Sequence, residues 1–224
     1  MIDVRRRRPV RLLAALAASA FLAGGCALAP LAADPGSDAP ERRPGATTAV
    51  WRPASYGQAL AAWRTPEDVN AWIGAAFEYD EERAVALSES QRAAGPAPAI
   101  LGPGAFFEKP RGVCVDLARF AVETLKAVAP ALKPRYLMIE FDPARLRGQV
   151  LRRHWVAAYD GPDGLRIIGD SKRPGVIAGP YRTLDDFIGD YARYRGRGIV
   201  SYRELESYQR RLKQQRARQT KSDA

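Results

Sequence analysis

The sequence predicts an α+β domain with helices packed on an antiparallel sheet. Two stretches carry apolar residues at helical spacing, one after Thr65 and one from Cys114 to Ala129. Three apolar runs, 135–141, 153–159 and 165–169, read as strands, and Asp160-Gly161-Pro162-Asp163-Gly164 joins the last two as a hairpin. Helices come first, then the strands, then a capped helix, which is the order of an α+β chain.

The 224 residues do not all belong to that domain. Residues 1–25 read as an export signal. Arg5, Arg6, Arg7, Arg8 and Arg11 form a positive start, and Leu12 to Leu22 is an apolar, alanine-rich core. That core is shorter than the roughly 20 residues a membrane-spanning helix needs. Gly24-Gly25-Cys26 then places small residues before a cysteine. This resembles a bacterial lipoprotein signal, cut before Cys26 with lipid on its sulfur. It departs from the usual pattern at Ala23, since Leu22 stands one place too early. An ordinary secretory signal cleaved near Ala23 or Ala29, or a retained anchor, are the alternatives. All imply export; the lipoprotein reading places the mature chain on the periplasmic side of a bacterial envelope, anchored by lipid, with the outer membrane as its expected location.

Residues 26–50 are rich in Ala, Pro, Asp, Gly and Ser and read as a flexible tether. Residues 51–205 suit one domain of ordinary size. A basic tail, 206–224, follows. The net charge of +10 falls to +6 once the five arginines and one aspartate of residues 1–25 are removed, and Gln209 to Ala224 holds +5 of that. The body of the domain is almost neutral, which argues against a nucleic-acid partner. The tail suits either contact with anionic lipid or envelope polymer, or a solvated helix end.

Within the domain, Thr65 is set to cap a helix, with Pro66 at its first position and Asp68 completing a capping box. Val69, Trp72, Ile73, Ala76 and Phe77 form its core-facing stripe. Residues 93–112, dense in Gly and Pro, read as a loop. The next helix runs from Cys114 to about Ala129 and ends before Pro130; Leu117, Ala121 and Leu125 share a face with Cys114. Thr183 with Asp186 opens a further capped helix through about Tyr194, Ile199 to Tyr202 adds an edge strand, and a polar helix is expected from Glu204. Trp51, Trp63, Tyr79, Phe106 and Phe107 suit a groove or the core equally.

Three residues carry the chemistry. Cys114 opens a helix, where unpaired N–H groups and a partial positive charge favour a thiolate and can steady an oxyanion. With Cys26 acylated it is the remaining thiol of the chain, so no disulfide can form within it. His154 is the single histidine. Asp170 follows the second hairpin strand. A five-residue turn over 160–164 pairs Tyr159 with Leu165 and sets His154 opposite Asp170, where side chains lie about 5 Å apart; a four-residue loop sets Ser171 there instead. A buried structural cysteine, a core or surface histidine and a strand-end aspartate are the plain alternatives. One histidine and one free cysteine do not make a typical zinc site, and no P-loop or dinucleotide fingerprint is present.

Gly112-Val113-Cys114-Val115-Asp116-Leu117-Ala118 resembles the G-x-C-x-D-x-A signature around the nucleophile of transglutaminase-like proteins. His154-Trp155-Val156 and Gly169-Asp170 resemble that superfamily's His and Asp segments, and the bacterial transglutaminase-like cysteine peptidases are similar in size and export. The resemblance spans about Val69 to Asp170, or on to Tyr202. It implies a transglutaminase-like, papain-like cysteine protease fold, with Cys114 as nucleophile, His154 as base and Asp170 as orienting carboxylate. Asp116 reads as a structural group at the helix start. Some relatives need calcium, but no dense acidic loop here allows that to be carried over; no cofactor is expected, and calcium stays open by family analogy alone. The implied reaction is acyl transfer from an envelope protein or peptide through a thioester, ending in hydrolysis. A transglutaminase-type transferase and a non-catalytic binding lipoprotein are the rival expectations.

Overall fold

A computed structural model describes residues 52–90, 98–146, 149–169 and 177–208. The leader, Cys26, the tether, Trp51, Asp170 and the tail from Gln209 lie outside the described residues. The domain is α+β, as its sequence predicts. Its helices are α1 (Tyr56–Ala62), α2 (Pro66–Ala76), α3 (Glu81–Ser90), α4 (Pro103–Glu108), α5 (Cys114–Val128) and α6 (Leu184–Arg195). Two short strands, β1 (Glu78–Tyr79) and β2 (Arg111–Gly112), pair in parallel. The main sheet has the order β6-β5-β4-β3-β7, all antiparallel, from β3 (Arg135–Leu146), β4 (Gln149–Gly161), β5 (Gly164–Ile168), β6 (Ala178–Tyr181) and β7 (Ile199–Leu205).

Local chemistry explains most boundaries. Thr65 accepts from the Asp68 N–H while the Asp68 carboxylate accepts from the Thr65 N–H, and Pro66 fills the first helical position. Thr183 and Asp186 repeat the arrangement at α6, which ends on Gly196 in the left-handed region.

Three expectations are corrected. Residues 103–108 are helical rather than loop, because Pro103 sits at a first helical position and Phe106 and Phe107 are buried against α5. Glu204 and Leu205 extend β7 instead of opening a helix. Of the aromatics that suit groove or core equally, Trp63, Phe106 and Phe107 take the core and Tyr79 packs against it, which resolves an open alternative and corrects nothing.

The third correction is the hairpin register. Gly161 pairs with Gly164 across a two-residue turn, so Asp160 meets Leu165 and Tyr159 meets Arg166. This is one residue away from the pairing on which the expected opposition of Asp170 and His154 rests; it matches the four-residue-loop alternative at Asp160 and Leu165, while Asp170 and Ser171 lie outside the described residues. Gly164 permits the tight turn. Its φ is +142°, and a Cβ there would lie 2.6 Å from the Tyr181 carbonyl oxygen.

The sheet is covered on both faces. On one, α1, α2, α4 and α5 pack with Tyr136, Ala157, Tyr159 and Ile168. On the other, α6 packs with Leu137, Ile139, Phe141, Val156, Ala158 and Ile167.

Candidate active site

Cys114 is the first residue of α5 and is half-buried. The chain enters it under tight control. Strand β2 runs straight into the helix and is pinned to β1, with the Glu78 N–H donating to the Pro110 carbonyl and the Asp80 N–H to that of Gly112, each at 2.8 Å. Asp80 then caps α3 by accepting from the Arg83 N–H, and its second oxygen receives Arg111 Nε at 3.2 Å.

Asp116 organises the first turn of α5. It is fully buried. Its Oδ2 accepts from the Val113 N–H at 3.0 Å and from Arg83 Nε at 2.7 Å; its Oδ1 accepts from the Leu101 N–H and from a terminal Arg83 nitrogen, both at 2.8 Å. The Asp116 hydrogen bond raises the already high pKa of Arg83. Arg83 donates onward to the Ala99 carbonyl, and Arg119 donates to the Ile100 carbonyl at 2.9 Å. Three consecutive residues, Ala99 to Leu101, are thereby clamped beside the start of α5 by charged side chains from α3 and α5. The reading of Asp116 as a structural group agrees with this network. Loss of one partner from a buried pair of this kind costs roughly 3–5 kcal/mol.

The spacing of G-x-C-x-D has a physical reason here. A Cβ on Gly112 would lie 3.0 Å from both Cβ and Oδ2 of Asp116. The carboxylate folds back over the residue two before the cysteine, and a side chain there would push it off.

A calcium ion does not fit Asp116. Both oxygens already hold two donors each, one of them cationic. No group of three or more His, Cys, Asp or Glu suited to a metal occurs among the described residues.

His154 lies on β4 opposite Ile139 and is 1 % exposed. Its ring stacks at 5.7 Å on Tyr191 of α6 and at 6.3 Å on Phe141 of β3. Alternation along β4 sets it with Val156 and Ala158 on the α6 face, while Trp155, Ala157 and Tyr159 face the α5 side. The helix that carries Cys114 packs on that other face. Asp170 is outside the described residues; the last paired residue before it is Ile168, opposite Ala157. Sequence reasoning passed over Arg83. Its sole signal is a basic residue in an acidic first turn, Glu81-Glu82-Arg83, and its pairing depends on a contact 33 positions away.

An α+β domain with a half-buried cysteine at the head of a helix is the class that fold and site define. Among solved structures, the calcium-bound form of Legionella pneumophila LapG is similar at a TM-score of 0.37 and 17% identity, covering 67% of this chain and 73% of that one. Neither the activity nor the calcium of that protein is carried over. No family model and no curated protein matches the chain.

Proposed function

We propose that this protein is an exported cysteine hydrolase, a peptidase or amidase of the transglutaminase-like kind, held at the envelope through lipid on Cys26. Cys114 is its nucleophile, His154 its base and Asp170 the carboxylate that orients the imidazole. The thiolate attacks an amide carbonyl of an envelope protein or peptide, a thioester forms as the amine leaves, and water completes hydrolysis. The observation that carries this reading is Cys114 itself, half-buried at the first position of α5 behind a chain entry fixed by Asp116. In this reading the start of β4 turns so that the imidazole leaves the Phe141–Tyr191 stack and meets the sulfur.

The test is the reaction with p-nitrophenyl acetate. One equivalent of p-nitrophenol is expected as a burst, lost in Cys114→Ala. Release that is identical in the two proteins contradicts the nucleophile. A labelled primary amine that accelerates turnover and is recovered as an amide assigns transferase activity instead of hydrolysis.

The setting of His154 favours a second reading, a binding lipoprotein that keeps the fold without a Cys–His pair. Its ring is packed as a core aromatic would be. This reading expects no burst.

A further inference from the structure

Resting on the reading of Cys114 as nucleophile, we infer that Arg83 and Asp116 are positioning residues for it. They form a guanidinium–carboxylate lock that fixes the head of α5 and sets the sulfur without a metal ion. Neither residue carries an assigned role in the reaction, and the network between them exceeds a simple helix cap. A buried aspartate at the third position of a helix needs one donor to complete its cap. Asp116 has four, contributed by three separate parts of the chain: Arg83 on α3, the Leu101 N–H of the clamped loop, and the Val113 N–H next to the cysteine.

The consequence for the sulfur is direct. With the Val113 N–H committed to Asp116, the Gly112–Val113 peptide, one before the peptide that enters Cys114, has one orientation, and the N–H groups that open α5 stay aligned at its head. The guanidinium meets both carboxylate oxygens, a geometry that an ammonium does not reproduce. Gly112 is part of the device, since its missing side chain makes room for the carboxylate. Because Arg83 supplies the positive charge, an added cation has no free oxygen of Asp116 to take.

The experiment is the pH profile of Cys114 alkylation by iodoacetamide, measured with thermal unfolding on the full mature protein. The wild type is expected to react with a midpoint below that of a free cysteine, which is about 8.5. In Arg83→Ala the midpoint rises toward that value and the rate at pH 7 falls about tenfold, with Arg83→Lys in between. Calcium or EDTA leaves the wild-type profile in place. If the Arg83→Ala profile superimposes on the wild type, whatever its melting temperature, the lock has no positioning role. If Arg83→Ala does not fold, Arg83→Lys decides: a severalfold slower rate supports the lock and an unchanged rate overturns it. A midpoint that moves with calcium overturns the metal-free setting. A wild-type midpoint at the free-cysteine value ends the nucleophile reading, and the positioning inference with it; that result is separable from a failure of the lock alone.

Discussion

On one face of the sheet four helices share a dense cluster of rings, while on the other α6 is the one helix among the described residues that covers the same strands. Phe120 of α5 lies within 4.9 to 6.4 Å of Tyr56, Trp63, Trp72 and Phe106. Phe187 of α6 lies 5.4 Å from both Tyr181 and Tyr191. The difference teaches where a buried electrostatic device can sit. The Asp116 carboxylate takes its donors from several directions, because α3, the 98–102 loop and the residue after β2 all converge on the head of α5. The α6 face offers rings instead, and His154 is one ring in that stack.

The comparison can be sharpened by unfolding in urea. Phe120→Ala is expected to cost about 5 kcal/mol and Phe187→Ala about 3, the ends of the range for buried aromatic truncations. Equal costs would mean that the two faces are equally packed. Asp116→Ala, which leaves Arg83 facing a buried gap, is expected to cost roughly 3–4 kcal/mol, as for a broken buried pair. A loss under 1 kcal/mol would show that water reaches the pair freely. Thr65→Ala and Thr183→Ala each remove one cap and should cost about 1 kcal/mol on either face. A difference between them above that size would show that cap strength, not packing, separates the two layers.

Much of this was legible in the sequence, for reasons that differ by element. Both capping boxes announce themselves because the donors and acceptors lie three residues apart. The α5 stripe, Leu117, Ala121 and Leu125, is plain because one face of that helix meets the core. Helix α4 was hidden by Gly102, Pro103 and Gly104, which read as a loop although Pro103 suits a first helical turn. The face chosen by His154 was hidden more deeply. Strand β4 is buried on both sides, so Trp155, Val156, Ala157, Ala158 and Tyr159 form an apolar run with no alternation to read. The hairpin register failed by one residue because Gly161 and Gly164 both join the ladder rather than the turn, and a shift of one residue exchanges the faces. Cys114 needed no long-range contact to be noticed, whereas Arg83 did.

The most direct measurement of the central claim is the rate of Cys114 alkylation at pH 7 in the wild type and in His154→Ala. An imidazole that comes to the sulfur makes the variant slower by about tenfold or more. Equal rates in two folded proteins would leave His154 where its rings hold it, on the α6 face, and would contradict a cysteine–histidine enzyme.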